Sequence, residues 1–141
     1  MKNRILLSLC LASTPVLADN WLVYEDGAAL QLAIDPASIW RENGRIHFVN
    51  QERFTLRQKD AKLGISYHIR RLSGWADCSK YQYVFVGANF YTASGRNVYT
   101  QMFPLPEYDW AWQPVDQGSV AAAMMREVCR LGRTAQSKKI Q

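Results

Sequence analysis

Three cysteines stand in the chain, and the first eighteen residues settle how many of them the folded protein keeps. Lys2 and Arg4 give a positive start, and Ile5 to Leu11 is a short apolar run. Val16-Leu17-Ala18 then presents small or compact groups at the positions a signal peptidase reads. This is the form of a secretory signal peptide, and its apolar run is too short to span a bilayer. Cleavage after Ala18 removes Cys10 and leaves Cys78 and Cys129 together in an oxidising compartment. Two thiols so placed are expected to form a disulfide. A small exported domain with one covalent cross-link is what the rest of the chain has to build.

A lipid anchor on Cys10 would call for a small residue just before it. Leu9 stands there instead, after an apolar run of only about five residues, shorter than an export signal uses. Residues 19–141 suffice for one domain with a real core and not for two. Losing Lys2 and Arg4 lowers the formal net charge from +5 to about +3, a mildly basic surface that does not mark a nucleic-acid binder. No second apolar stretch approaches the roughly 20 residues of a membrane helix. Aromatic residues make up 12% of the chain and all five tryptophans lie beyond the leader, which suits a β-rich domain.

Short strands come first and one helix last. Trp21 to Tyr24 reads as a strand before a turn at Glu25-Asp26-Gly27, and Ala28 to Ile34 as a second strand closed by Asp35-Pro36. Ser38 to Arg41 and Arg45 to Phe54 flank Glu42-Asn43-Gly44, whose Asn-Gly pair suits the positive φ of a tight hairpin turn. Ile46 and Phe48 then face one way, and His47, Val49 and Gln51 the other. Arg57 to Gly64 is polar and reads as a loop carrying Arg57, Lys59 and Lys62. Ile65, Tyr67 and Ile69 alternate with Ser66, His68 and Arg70, a strand with one wet face. Tyr81 to Val86 is apolar on both faces and is expected to be covered on both. Thr92 to Asn97 is a hairpin connection, and Val98 to Phe103 returns as a strand that stops at Pro104.

Ser119 is a good N-cap for the helix that follows. Val120, Met124, Val128 and Leu131 repeat at helical spacing, Met125 and Cys129 flank that stripe, and Gly132 can close the end in the left-handed region. Arg133 to Gln141 is a polar, cationic tail without periodicity and is expected to fray. The organisation is therefore a signal peptide at 1–18, an α+β domain at 19–132 and a flexible basic tail at 133–141. A Cys78–Cys129 bridge would staple the helix to the start of the central strand, worth roughly 4 kcal/mol on the chain-entropy model. Its role reads as structural, because a reactive pair is more often close in sequence.

Catalytic patterns are absent. His47 and His68 are the only histidines, and no His or Cys pair stands at zinc-like spacing, so no metal and no cofactor is expected. Ser66 and His68 share a strand face without a third group or an oxyanion donor. No nucleophile elbow, phosphate loop or dinucleotide fingerprint occurs. The chain reads as a protein that is not an enzyme. Haem or small-ligand carriage would need His47 or His68 beside an apolar cleft.

Two groups of residues are candidates for binding. Tyr108, Trp110 and Trp112 share a face if their segment is extended, where they either cover the helix–sheet seam or anchor a protein interface. Arg57, Lys59 and Lys62 form either a solvated loop or a patch that attracts acidic glycans or host proteins.

The ordered set of signatures adds a further reading. An N-terminal strand at Trp21 precedes Asp35 and a Ser38-Ile39 strand. The Asp77-Cys78 pair follows, then Trp112-Gln113-Pro114-Val115-Asp116-Gln117-Gly118-Ser119 leading into a helix that ends in Val128-Cys129. In this order and spacing the chain resembles the surface-adhesin protein E family of Gram-negative bacteria, over nearly the whole of residues 19–141. The resemblance implies a single antiparallel β-sheet of about six strands with a C-terminal helix packed on it and the two cysteines bridged. It also implies exposure at the cell surface and binding to host matrix or plasma proteins, with virulence as the context. An exposed edge strand invites pairing into a homodimer. The alternative is a soluble periplasmic module that engages envelope proteins or inhibits an enzyme by presenting a loop.

Overall fold

The computed structural model describes residues 20–103 and 106–137. In chain order it lays down β1 (Leu22–Asp26), β2 (Leu30–Ile34), β3 (Trp40–Glu42), β4 (Arg45–Asp60) and β5 (Ile65–Asp77). Then come β6 (Gln82–Tyr91), β7 (Asn97–Met102), β8 (Gln113–Pro114) and α1 (Val120–Gly132). The expected leader at 1–18, Pro104 and residues 138–141 of the basic tail lie outside the described residues. The strands form one antiparallel sheet in the order β1-β2-β4-β5-β6-β7, with β3 on β4 and β8 on β6. Six of them make a curled half-barrel closed by the C-terminal helix.

Local chemistry explains the turns. Asn43 and Gly44 have φ of 50° and 75°, the two positive values that a two-residue type I′ turn requires, so β3 folds back onto β4. Asp35 caps a short 3-10 turn at Pro36–Ser38 by accepting from the Ala37 N–H at 2.9 Å. The Ser38 hydroxyl then accepts from the Val49 N–H at 2.8 Å, which ties that turn to β4. Ser38 therefore sits in a turn, and the strand expected from Ser38 to Arg41 begins only at Trp40.

The loop expected over Arg57 to Gly64 is corrected most. β4 continues through Arg57 and Lys59 to Asp60, and only residues 61–64, with Lys62, form the turn. An irregularity between Arg53 and Gln58 lets β4 bend before it resumes pairing, with Gln58 opposite Tyr67 and Lys59 opposite Ser66. Polar residues can hold a strand here because β5 pairs with Gln58, Lys59 and Asp60, which satisfies backbone groups without calling for apolar side chains.

β6 starts at Gln82, after Tyr81 at φ 52°, and runs to Tyr91 rather than ending at Val86. Its pairing with β5 shifts between Ser73 and Gly74. A β-carbon on Gly74 would lie 2.6 Å from the Val84 carbonyl oxygen and 3.2 Å from Phe48 Cζ, so only glycine fits this crossing.

The helix covers one face of the sheet. Met124, Met125 and Val128 pack with Ile34, Ile46, Phe48 and Ala76 in a core that water does not reach. The N-cap reading of Ser119 holds, its hydroxyl accepting from the Ala122 N–H at 3.1 Å. The stripe is rotated from the expected one, with Met125 inside it and Val120 51% exposed. Gly132 does not close the helix in the left-handed region. It lies in the last helical turn, where a β-carbon would meet Ile46 Cδ1 at 2.7 Å. Close packing is its role.

Cys78 and Cys129 are bridged, with Cα atoms 5.9 Å apart. A second core of Tyr67, Leu72, Ala88 and Phe90 fills the far end of the long hairpin, where the Tyr67 and Phe90 rings meet edge-on at 4.9 Å. The start of the expected fraying tail is held, since the Arg41 N–H donates to the Gln136 carbonyl at 3.2 Å and Ser137 bridges to Arg41.

A candidate aromatic binding surface

Alternation along β4 sends Ile46 and Phe48 into the helix-side core, so Arg45 and His47 turn to the opposite face. Antiparallel register then aligns a row across four strands. Trp40 stands opposite His47, His47 opposite Trp75, and Trp75 opposite Val84. The Trp40 and His47 rings stack at 4.6 Å and 15°, and Trp75 meets both edge-on at 4.8 and 5.3 Å. His47 Nδ1–H donates to the Ser38 carbonyl at 2.8 Å, which fixes the ring in the row.

The segment between β7 and β8 crosses this row. Trp110 lies nearly parallel to Trp75 at 6.3 Å, and Trp112 is tilted against Trp110 at 6.0 Å. The Arg45 guanidinium is 5.6 Å from the Trp110 ring and 5.4 Å from the Trp112 ring, within cation–π range of both, and it also pairs with the Glu107 carboxylate. Beneath the segment lies a cavity of about 460 Å³, lined by Val84, Val86, Phe103, Trp110 and Ala111 among others. It arises because the outer edge of β6 pairs with β8 at Gln82 and Tyr83 and with β7 from Gly87 onward, with the Phe103 N–H donating to the Val86 carbonyl at 3.1 Å, so neither strand pairs Val84 and Phe85.

The sequence candidates are sorted by this geometry. Trp110 and Trp112 come together, but through a tight turn in which the Trp112 N–H donates to the Trp110 carbonyl at 3.1 Å, and not along an extended strand. Tyr108 sits on a 3-10 turn at Glu107–Asp109, 86% exposed and off the row. The pair also lies on the sheet face away from the helix, so it does not cover the helix–sheet seam. Arg57, Lys59 and Lys62 are at the opposite end of the β4–β5 hairpin and take no part. Trp40, Trp75 and Arg45 are the residues that sequence reasoning missed. Only the β3–β4–β5 register brings them together, and the Asn43-Gly44 turn was the one local signal for it.

Among the described residues, no group of three His, Cys, Asp or Glu side chains could hold a metal ion. His47 is engaged with Trp40, Trp75 and Ser38, and His68 lies in a separate groove on the far end of the hairpin. Among the described residues, Tyr24, Arg70 and Asp77 are clearly perturbed, all away from the row; burial works to lower the Arg70 guanidinium, but its hydrogen bond to Glu52 and the Glu52 charge raise it. Burial foremost, with nearby Glu52, pushes the Tyr24 phenol well above its ordinary range, although its hydroxyl donates to Asn50 Oδ1 at 2.6 Å. Partial burial works to raise the Asp77 carboxyl, but N–H groups of Lys80 and Ser79, the Ser79 hydroxyl and the Lys80 charge together hold it below the usual carboxylate range.

Comparison with known proteins agrees with this architecture. The chain is similar to solved structures of Haemophilus influenzae protein E. One superposes with a TM-score of 0.60 at 15% identity, covering 88% of this chain and 95% of that one. Another, from a non-typeable strain, gives 0.54 at 14% identity, covering 93% and 90%. Identities this low carry the fold and nothing finer. No curated protein matches. Among the described residues, no helix is long and apolar enough to cross a membrane. The family model of surface-adhesin protein E matches residues 21–130, which include both bridged cysteines and the whole aromatic row, and the chain belongs to that family.

Proposed function

We propose that this protein is an exported, non-enzymatic binding module that engages host matrix or plasma proteins at the surface of a Gram-negative bacterium. The observation that carries this reading is the Trp110–Arg45–Trp112 cluster on the face away from the core, with Tyr108 projecting beside it. Tryptophan, tyrosine and arginine are the residues that dominate binding energy when an interface buries them. Export follows from residues 1–18 with cleavage after Ala18, and mass spectrometry of the purified protein reads that cleavage directly. Pairing of two copies along an edge strand such as β7 fits the same picture and is read by sedimentation.

A second reading is a periplasmic module that presents a loop to an enzyme or envelope protein. Tyr108, on its short turn, favours it. Labelling of the tagged protein on intact cells, with a permeabilised control, separates the two. Labelling without permeabilisation supports the adhesin, and binding to immobilised matrix proteins should then fall in Trp112→Ala and Tyr108→Ala. Labelling only after permeabilisation refutes surface display and moves the search for partners into the periplasm.

A further inference from the structure

Arg57, His68 and Arg96 line an open groove of about 450 Å³ at the end of the β4–β5 hairpin, together with Ser66, Thr92 and Ser94. No carboxylate lines it. The acids of β4 are turned to other tasks: Glu52 is paired with Arg70 at 2.6 Å, and Asp60 accepts from the Leu63 N–H at 2.9 Å. Lys59 stands directly opposite Ser66, and cross-strand partners share a face, so Lys59 extends the positive row beside the groove. Arg57 and Lys59 are two residues apart on one strand, which spaces their charges by about 7 Å. Arg96 closes the far side from the β6–β7 turn, whose shape is set by the Arg96 N–H donating to the Thr92 hydroxyl at 3.1 Å and by Gly95 at φ 88°.

We propose that this groove binds a sulfated polysaccharide of the glycosaminoglycan type. Periodic cations with interleaved hydroxyl groups match a hydrated chain bearing fixed anions at regular intervals. Arginine forks bind oxyanions bidentately, and the mild net positive charge draws such a chain in from solution. The volume lies within the range of roughly 300–1,000 Å³ typical of small-ligand sites, enough to seat part of a chain that continues beyond the groove. The site is separate from the aromatic row and does not depend on it.

The test uses a size-defined heparin fragment and the mature protein, with dissociation constants measured by calorimetry at fixed salt. Arg57→Ser/Arg96→Ser should weaken binding about tenfold. Lys80→Ser/Arg126→Ser, which removes the same charge from exposed positions elsewhere, should change it by less than about twofold. Chemically desulfated heparin should not bind. Equal losses in the two double variants would reduce the effect to net charge and overturn the site, as would an unaffected groove variant or binding of the desulfated polymer. Vesicles containing phosphatidylglycerol are the remaining arm. Binding to them that depends on Arg57 and Arg96, with none to heparin, assigns the groove to lipid headgroups and overturns the proposal. Arg96→Gln alone, on an exposed turn, provides the same comparison if the double variant folds poorly. Trp112 and Tyr108 are untouched throughout, so a negative result leaves the aromatic surface standing.

Discussion

Arg45 and Glu107, 62 positions apart, pair across the outer face of the sheet. The pair pins the segment after β7 onto the β3–β4 hairpin, with the Arg45 guanidinium between Trp110 and Trp112. Glu107 is largely exposed, so the ion pair itself is worth little and the contact with the two rings contributes more. Arg45→Met should lower stability by about 0.5–1.5 kcal/mol and red-shift tryptophan emission as the rings open to water. Glu107→Gln should cost less than about 0.5 kcal/mol and leave the emission nearly unchanged. Equal effects of the two substitutions would show that the ion pair, and not the stacking, holds the segment.

Two glycines are required for different reasons, and alanine distinguishes them. At Gly74 the obstructing atom is the Val84 carbonyl oxygen, part of the backbone that pairs β5 with β6. Gly74→Ala should therefore cost about 3 kcal/mol, at the upper end of overpacking effects. At Gly132 the obstruction is the Ile46 side chain, which can shift, and alanine also favours the helix. Gly132→Ala should cost about 1 kcal/mol, and urea midpoints read both.

The Cys78–Cys129 bridge fastens α1 to the turn between β5 and β6. Cys78→Ser/Cys129→Ser should lose about 2–4 kcal/mol. With residues 1–18 removed, and Cys10 with them, the oxidised protein should show no free thiol after unfolding, as counted by mass after alkylation.

Asp77 shapes that same turn, with one carboxylate oxygen accepting from Ser79 N–H, Ser79 Oγ–H and Lys80 N–H at 3.1, 2.8 and 3.0 Å. Its carboxyl is held down in the folded state, so the folded protein binds fewer protons than the unfolded chain in acid. Its contribution is present in full above the unfolded carboxylate pKa, near 3.9, and is lost as pH falls through the lower folded value. Stability profiles of wild type and Asp77→Asn should differ at neutral pH and draw together as pH falls below the ordinary carboxylate range. Parallel profiles across that range would rule out the carboxylate as the cause.

The buried Tyr24 phenol gives the alkaline counterpart. Its folded pKa is raised by burial first and by Glu52 second, so the folded state keeps its proton where the unfolded chain loses it. Stability from this group is complete below about pH 10 and falls as pH rises beyond that value. Absorbance titration should show one tyrosine still protonated after the exposed ones have ionised, and Tyr24→Phe should remove that late step. The same substitution leaves Asn50 Oδ1, in a side chain only 3% exposed, without its donor, at a cost of about 1–2 kcal/mol.

Much of this was legible from residue order alone, because the governing interactions are local or covalent. The Asn43-Gly44 turn, the Ser119 cap, the Ile46/Phe48 alternation and the pairing of Cys78 with Cys129 each follow from backbone preference, side-chain period or the count of thiols beyond residue 18. The candidate residues were legible as types and not as places. Nothing in the spacing of Trp40, Arg45, Trp75 and Trp110 marks them as neighbours, since β-sheet register joins residues far apart in the chain. Nor could periodicity carry β4 past Phe54, because on that exposed arm β5 supplies the pairing and the side chains are free to be polar. Gly132 misled for a related reason: a helix-terminal glycine reads as a left-handed cap until the opposing Ile46 is seen to need the space. Short-range chemistry in the sequence thus determined which elements form. Only the tertiary structure, through strand register and close packing, decided which side chains share a surface.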